Sequence, residues 1–320
     1  MKMKIMQGFL AAAFALSVTG FSKAADVYPS KPVKIIVPFS AGSASDTVAR
    51  ILSDELRSSM GVIIVENRLG ANGIIGASAA AKAPADGYTL LLTSSATHSG
   101  IGALFKNPGY DPLKDFVHIA RISTIPMLLV ARADAAFKTA KDLAAQAKKS
   151  PLRYGYGSGS AQIAGAAFSA IAGAPSDGIP YKGQPPAVTD LMGGQLDYVL
   201  ADSSVVTAFV QSGRLKGLAI TGEKRSAELP EIPTMAEAGY KSFDLVVWVG
   251  LAAPAGTPTP VVERWNQELN QALKTPRVIE KLARLGMVAN PNSTQQQAAF
   301  ALAQRDVWVA RAAAAGVEKQ

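Results

Sequence analysis

Four loops rich in small and hydroxyl-bearing residues follow apolar runs along the sequence. They read PFSAGSASD from Pro38, TSSATHSG from Thr93, GSGSAQ from Gly157 and ADSS from Ala201. None of them contains Lys or Arg, although the chain carries a formal net charge of +8. Ser hydroxyls and the backbone N–H groups at a helix start bind anions without a cationic side chain. The loops therefore indicate a site for a carboxylate or a similar anion.

The first loop also fits a purely structural interpretation. Ser43, Ser45 and Asp46 can cap the helix that is expected to begin near Asp46, because their oxygens accept bonds from its first N–H groups. For Asp46 alone, capping is the favoured interpretation, whereas for the four loops together a ligand site is favoured. Gly42 is expected to matter either by leaving room for the ligand or by adopting a positive φ.

The sequence gives little support for catalysis. Its histidines are His98 and His118, and it has no Cys. Around Ser158 the chain reads GYGSGS, which departs from the G-x-S-x-G pattern of a hydrolase nucleophile elbow. His98 is expected to contact the ligand or to act as a structural donor, and His118 to lie on a helix or strand near the surface. We predict no catalytic residue, no metal site and no cofactor.

Strands and helices must hold these loops in place. Runs rich in Val, Ile, Leu and Tyr predict strands at 33–37, 88–92, 126–131, 152–156, 196–200, 216–221 and 245–251. Helical periodicity lies between them, and strands that alternate with helices predict parallel sheets. In such folds ligands bind beyond the carboxyl ends of the strands. Two loops lie in the first third of the chain and two in the middle third, which predicts two lobes facing one cleft.

Composition and the N-terminus narrow the class of protein. The 320 residues are 48% hydrophobic and 18% charged, which is enough for one large core or two medium ones. Basic residues are not clustered with aromatic ones, so no nucleic-acid partner is expected. The start MKMK, the apolar FLAAAFALSV and the small residues of SKA predict a signal peptide over residues 1–24, cleaved after Ala24. Such an exported, Cys-free chain is expected in the periplasm.

Sequence motifs over essentially the whole mature length match one family. They are YPSKPVKIIVPFSAG with the following Asp46, VENRLGANGIIGA, ADGYTLLLTSSATH, YDPLKDF, IPYKGQPPAVTDLMGGQLD, KRSAELPEIPTMAEAG and APAGTP. In their order and spacing, the chain resembles the periplasmic solute receptors of tripartite tricarboxylate transporters, also called Bug receptors. The resemblance implies an α/β, two-lobed Venus-flytrap fold of the type II periplasmic-binding-protein kind. Each lobe would be a mainly parallel sheet flanked by helices.

The resemblance also implies how the chain is divided. Lobe 1 would comprise residues 25–125 and 247–320, and lobe 2 would be inserted as residues 126–246. The chain would therefore cross between the lobes near Ile125 and Val246.

The resemblance further implies which residues bind the ligand. Lobe 1 would hold a ligand carboxylate between residues 39–46 and 94–98, and lobe 2 would add residues 158–162, the 181–183 turn and Asp202. The expected ligand-binding residues are Phe39, Ser40, Ala41, Gly42, Ser43, Asp46, Ser94, Ser95, Thr97, His98, Ser158, Ser160, Gln162, Tyr181, Gly183 and Asp202. The part of the ligand away from the bound carboxylate would meet lobe 2, so the residues expected to choose between ligands are Ser158, Ser160, Gln162 and Asp202.

The predicted function is that of a receptor and not of an enzyme. The receptor would capture a small organic carboxylate, either a di- or tricarboxylate or an aromatic acid such as terephthalate. It would act as a monomer and deliver the solute to the membrane components of a tripartite tricarboxylate-type transporter. One alternative is a receptor for an amino acid or a nicotinate-like solute, with Asp202 as the partner of an ammonium group. The second is an exported α/β hydrolase that uses Ser94 or Ser158 with His98.

Overall fold

The computed structural model describes residues 28–222, 224–243, 245 and 247–320. The predicted signal peptide, its cleavage site and Val246 lie outside these residues. The strands of the described chain are β1 (Val33–Val37), β2 (Ile63–Asn67), β3 (Thr89–Ser94), β4 (Phe116–Ile125), β5 (Met127–Arg132), β6 (Leu152–Tyr156), β7 (Ser176–Pro180), β8 (Tyr198–Asp202), β9 (Leu215–Ile220), β10 (Val247–Pro254) and β11 (Val288–Ala289).

The helices lie mostly between these strands. They are α1 (Ala44–Glu55), α2 (Arg57–Met60), α3 (Ile74–Ala81), α4 (Ile101–Leu104), α5 (Ala140–Ala147), α6 (Gly159–Ala172), α7 (Gln184–Met192), α8 (Ser203–Gln211), α9 (Thr259–Ala272), α10 (Pro276–Ala283) and α11 (Thr294–Ala314). A 3-10 turn (Ala71–Gly73) and a π-helical turn (Ser95–Ser99) complete the elements. No helix of the described ranges is long and apolar enough to cross a membrane.

The strands form two sheets, one in each lobe. The sheet of lobe 1 has the order β11-β4-β10-β3-β1-β2, and that of lobe 2 the order β7-β6-β8-β5-β9. The predicted two-lobed α/β fold is confirmed. The strands of lobe 1 come from the chain up to Ile125 and from Val247 onward, while the exact lobe boundaries stay a prediction.

Each sheet is mixed rather than mainly parallel. β1 pairs in parallel with β2 and β3, and β6 with β7 and β8, but β10 and β5 are antiparallel to their neighbours. The reason is the path of the chain. β5 and β10 enter their lobes from the other lobe, so they start at the cleft and run away from it. They therefore oppose the strands that end at the cleft.

Amphipathic helices pack their apolar faces against the two sheets. In α1, Val48, Ala49 and Leu52 are buried on one face while Arg50 is exposed, as the helical period requires. The seven predicted strands form, and Trp248 of β10 is fully buried. β2, β4, β7 and β11 were not predicted.

The lobes also touch at a pair of glycines outside the crevice described below. A Cβ added to Gly100 of lobe 1 would lie 2.9 Å from Ile163 Cδ1 of lobe 2, and one added to Gly159 of lobe 2 would lie 2.7 Å from Leu104 Cδ1 of lobe 1. The fully buried Trp308 of α11 lies near the same place. We call this the glycine contact. It brings the lobes together through residues that do not line the crevice.

Candidate functional site

A crevice between the lobes collects five N-cap residues. Ser43 caps α1, Ser94 the π-helical turn, Ser158 α6, Gly183 α7 and Asp202 α8. The crevice has a volume of about 340 Å³, including its open part. Its complete lining is Phe39, Ser40, Ser43, Ala44, Ser45, Ser94, Ala96, Gly157, Ser158, Ser160, Gly183, Gln184, Asp202 and Val247.

The lobe 1 face of the crevice consists of neutral donors. Ser43 Oγ accepts from Asp46 N at 3.3 Å, and Ser94 Oγ accepts from Thr97 N at 3.4 Å. Since each of these oxygens accepts from its own helix, each hydroxyl hydrogen can be donated into the crevice. Ser40 Oγ is buried without a hydrogen-bond partner among the described residues. The lobe 1 face therefore has hydroxyl groups that are available as donors to a ligand.

Asp46 holds the first loop from outside the crevice. Its Oδ2 accepts from Gly42 N at 3.0 Å, its Oδ1 accepts from Asn67 Nδ2 at 3.0 Å, and Arg50 Nε donates to both oxygens at 3.1 Å. Burial raises its pKa, but the bonds from Arg50, Gly42 and Asn67 outweigh burial and hold the pKa below its usual value. Asp46 does not line the crevice. Asp46 is therefore structural, but it holds the loop through Gly42 N, and the cap of α1 is Ser43 and not Asp46 as expected.

Ala41 and Gly42, both expected to bind the ligand, are exposed and do not line the crevice. Gly42 has φ +77°, and a Cβ added there would meet nothing within 4 Å. Of the two reasons expected for this glycine, the structure supports the positive φ and not the need for space. The loop conformation, rather than access, requires Gly42.

His98 lies behind the crevice wall and does not line the crevice. Its side chain is fully buried, its Nδ1 bonds Thr97 Oγ1 at 3.0 Å, and its ring lies 5.1 Å from that of Phe116 and 5.4 Å from that of His118. Burial holds the pKa of His98 well below its usual value and lowers that of His118 to about 4. No hydrogen bond among the described residues joins His98 to Ser94 or Ser158, so the geometry gives no support to a Ser–His pair.

Two further corrections concern neighbours of His98. His118 lies on strand β4 as expected, but it is 6% exposed and not near the surface. Thr97 is fully buried, and its Oγ1 accepts from Ser94 N at 3.1 Å, so it positions the loop instead of lining the crevice. Ser95 Oγ is joined to Ser160 Oγ of lobe 2 at 3.0 Å. Ser95 therefore connects the lobes.

Gln184 organises the lobe 2 face, although it is not among the residues predicted from the sequence. Its Nε2 donates to Ser158 Oγ at 3.5 Å, and its Oε1 accepts from Asp202 N at 2.8 Å. Ser158 Oγ also accepts from Ala161 N at 3.2 Å. The signal in the sequence was the Pro pair of KGQPP, which marks the first turn of a helix and so places Gln184 at its start.

Asp202 is the one ionisable residue among the described residues that line the crevice. It is 6% exposed, and its Oδ1 has no hydrogen-bond partner in the described part of the chain. Burial raises the pKa of Asp202 to about 6, and Gln184 partly opposes that rise. An acid thus stands opposite the cation-free face of lobe 1.

The other residues expected from lobe 2 differ in position. Gly183 approaches lobe 1 so closely that an added Cβ would lie 2.3 Å from Ser40 Oγ. Gln162 does not line the crevice, and its Oε1 accepts from Asn72 Nδ2 of lobe 1 at 3.5 Å. Tyr181 donates to Asp190 Oδ2 at 2.8 Å. With the exposed Lys182 it lines a neighbouring groove of about 1040 Å³, including its open part. Ser158, Ser160 and Gly183 line the crevice as expected.

Two α/β lobes that enclose a crevice lined by helix starts define a solute-binding receptor of the periplasmic-binding-protein type. Residues 48–314 match the family model described as tripartite tricarboxylate transporter family receptor. The chain belongs to this family, whose members are periplasmic solute receptors. The prediction of the family is therefore confirmed.

Solved structures of relatives agree with this assignment. The periplasmic binding protein BugD is 37% identical, with a TM-score of 0.87 over 92% of this chain and 100% of that chain. A protein from R. palustris with adipate is 30% identical, with a TM-score of 0.89 over 92% and 100%. MatC from Rhodopseudomonas palustris with bound malate is 30% identical, with a TM-score of 0.85 over 89% and 100%. These similarities establish the fold and the receptor class.

Proposed function

We propose that this receptor captures a small organic carboxylate in its crevice and delivers it to the membrane components of a tripartite tricarboxylate-type transporter. The observation that carries the proposal is the set of serine N-caps on a crevice without Lys or Arg among its described lining residues. Helix N-termini present unpaired N–H groups and about half a positive charge. An anion is therefore the complementary solute, and the relatives with adipate and malate support a carboxylate.

In this proposal lobe 1 holds the carboxylate. Ser40, Ser43 and Ser94 donate to its oxygens, each with a bond of roughly 1.5–3 kcal/mol because the acceptor is charged. Neutral donors avoid the cost of desolvating a buried Lys or Arg. Lobe 2 adds Ser158 and Ser160, so a ligand that touches both faces favours the closed arrangement of the lobes.

The remaining parts of the proposal concern location and chemistry. Residues 1–24 are removed on export, and the receptor acts as a monomer without a nucleic-acid partner. It is not an enzyme, because His98, the residue that a hydrolase would need as its base, is bonded to Thr97 and enclosed by aromatic rings. Turnover of ester substrates would contradict this part.

Calorimetry with matched acids and amides tests the proposal. A di- or tricarboxylate or an aromatic acid should bind at least about a hundredfold tighter than its amide, about 2.8 kcal/mol, because the amide has no charge for the helix starts to stabilise. The amide has nearly the same size and shape, so it controls for packing alone. Equal binding of acid and amide would show that the crevice is not an anion site.

A further inference from the structure

The groove beside the crevice is formed by both lobes. Lobe 1 contributes Pro38, Phe39 and residues 69–73, and lobe 2 contributes Gly157 and residues 180–182. Phe39 and Gly157 also line the crevice, so the groove opens directly into it. We call this the rim groove. Because its two walls belong to different lobes, the groove forms only when the lobes are together, which is the arrangement that a bound solute favours.

The lobe 1 wall of the rim groove has an unusual backbone. Four successive residues have positive φ, namely +125° at Gly70, +45° at Ala71, +55° at Asn72 and +94° at Gly73. Glycine adopts such angles freely and Asn tolerates them, but they are disfavoured for Ala71. The fold holds the run from behind, since a Cβ added to Gly73 would lie 2.8 Å from Thr97 Cγ2 and 3.3 Å from Phe39 Cζ. Strained segments that the surrounding structure holds in place cluster at functional sites.

The same segment places apolar side chains in solvent. Leu69 is 44% exposed and Ile75 is 55% exposed, and Ala71 between them is exposed as well. Ile75 lies against the start of the left-handed run, because a Cβ added to Gly70 would be 2.5 Å from Ile75 Cδ1. Neighbouring exposed apolar side chains at a groove are typical of a protein-interaction site.

The lobe 2 wall of the rim groove supplies a positive charge. Lys182 is exposed, and its ammonium group has no hydrogen bond or salt bridge among the described residues. No Asp or Glu of the described ranges lines the groove. The complement of this surface is therefore an apolar segment that carries a carboxylate. Ile75 lies outside the groove lining, so a small solute in the groove would leave it in solvent, whereas a protein partner would cover it.

We propose that the rim groove is the docking surface for a membrane component of the transporter, which inserts an apolar periplasmic segment with an acidic residue that faces Lys182. The inference rests on the proposed function and adds the place at which delivery occurs. Asn72 Nδ2 donates to Gln162 Oε1 across the lobes at 3.5 Å, so this bond helps to align the two walls. The transporter would then bind the closed receptor better than the open one, because only the closed form presents both walls together.

Site-specific photo-crosslinking in the cells that produce the receptor tests this surface. The photoreactive p-benzoylphenylalanine replaces Leu69 or Lys182 in the full chain, and it replaces Val62 or Leu302 in two controls, which are also exposed but do not line the groove. Both groove positions should crosslink to a membrane component of a tripartite tricarboxylate-type transporter, identified by mass spectrometry. The yield should be at least about fivefold above that of the controls, because residues at the centre of a docking surface stay next to their partner.

Two substitutions test the chemistry of the surface. Lys182→Glu should reduce crosslinking from position 69 by about tenfold, because two carboxylates would then face each other. Leu69→Asp should reduce crosslinking from position 182 to a similar degree, because it places a charge against an apolar segment. Leu302→Asp changes an equally exposed leucine of α11 outside the groove and should alter neither yield. Melting temperatures show whether each variant is folded.

Calorimetry separates docking from capture of the solute. It uses malate, adipate and terephthalate as probes, and any of them that the wild-type protein binds should bind Leu69→Asp with an affinity changed by less than about twofold. A variant that weakens acid binding as much as it weakens crosslinking would assign the rim groove to the solute, and the inference would be wrong. Capture of only lipid or a second receptor copy from positions 69 and 182 would also overturn it.

A general crosslinker separates this inference from the proposed function. An amine-reactive reagent joins neighbouring proteins whichever surfaces they use. If it joins the receptor to the transporter while positions 69 and 182 do not exceed the controls, docking uses another surface, and delivery stands without the inference. If it joins the receptor to no transporter component, the inference and the delivery are both wrong, and the calorimetry still decides whether the crevice captures acids.

Discussion

Each lobe fixes its face of the crevice with one polar side chain, but the two side chains differ in charge. In lobe 1, Asp46 binds Gly42 N and Asn67 from outside the crevice, with Arg50 as its counter-ion. In lobe 2, Gln184 binds Ser158 and Asp202 N from within the crevice. A charged residue can serve in lobe 1 because it is neutralised away from the ligand. The ligand therefore meets a neutral lobe 1 face, and ligand preference is expected to depend on lobe 2.

The lobes also differ in their buried titratable groups. Lobe 1 buries His98 and His118, whose pKa values burial lowers, and lobe 2 buries Asp202, whose pKa burial raises to about 6. In the folded protein, burial therefore disfavours the charged, protonated forms of the two histidines. For Asp202 burial favours the neutral, protonated form. Lowering the pH should therefore destabilise lobe 1 and stabilise lobe 2.

The largest effect is expected at Asp46. Asp46→Ala removes the acceptor of Gly42 N, Asn67 and Arg50, so we expect a loss of roughly 3 kcal/mol of stability and weaker binding of every ligand. Urea unfolding and calorimetry measure the two effects. Asp54→Ala, on the exposed face of the same helix, is the control and should change neither. A change in preference between ligands without a general loss would contradict the division between the lobes.

Lowering the pH should reduce the contribution of His118 to stability by about 2 kcal/mol. His118 has a folded pKa of about 4 against about 6.5 unfolded, so its contribution to stability is complete above about pH 6.5 and is lost as the pH falls toward 4. Compared with wild type, His118→Phe should lose about 2 kcal/mol less stability between about pH 7 and pH 5. Urea unfolding at the two pH values provides the measurement.

Asp202→Asn should behave in the opposite way. The folded pKa of Asp202 lies above its unfolded value, so its contribution to stability is complete below about pH 4 and is lost as the pH rises through about 6. The variant lacks this gain in acid and should lose more stability than wild type between about pH 7 and pH 5. If His118→Phe and Asp202→Asn changed the loss of stability between about pH 7 and pH 5 in the same direction, the proposed difference between the lobes would be wrong.

Gly42 should affect binding more than the neighbouring serine does. At φ +77° a β-branched side chain is strained, so Gly42→Val should distort the loop and weaken binding by about tenfold or more, roughly 1.4 kcal/mol, with the lobe still folded. Ser43→Ala should cost less, because the backbone donors of α1 remain. Calorimetry gives the affinities and circular dichroism checks the fold. A Ser43 variant weaker than the Gly42 variant would place the main donor on the hydroxyl.

The smallest effect, and one specific to lobe 2, is expected at Gln184. Gln184→Met keeps the length of the side chain but leaves Asp202 N without its acceptor. We expect the ratio of affinities between two acids to change by a few-fold, about 1 kcal/mol, with lobe 1 unaffected. Equal weakening of all acids would assign Gln184 to general support, as for Asp46.

The serine caps were predictable because capping is local. A hydroxyl after an apolar run and before a helical period places Ser43, Ser94 and Ser158 at helix starts whatever the rest of the fold does. Their convergence followed from the position of the loops at the carboxyl ends of strands. The sequence therefore predicted part of each face, while Ala44, Ala96 and Gln184 line the crevice without having been predicted.

The errors came from long-range packing. His98 lies two residues after Ala96, which lines the crevice, but the π-helical turn directs its ring toward Phe116 and His118. Those two residues lie on β4, outside the local sequence pattern. Strand β4 was missed because His118 and Arg121 interrupt its apolar pattern, although both are covered in the fold. The bond from Gln184 to Asp202 joins α7 to the end of β8, which no local pattern reveals.

The glycine contact has a consequence for how such receptors diversify. None of Gly100, Leu104, Gly159 and Ile163 lines the crevice, yet all four touch across the lobes. Substitutions there would change the free energy of the closed arrangement equally for every solute. Evolution can therefore adjust how tightly the receptor holds any solute at one place and which solute it holds at another. A receptor can therefore change its ligand preference without a change in its overall affinity.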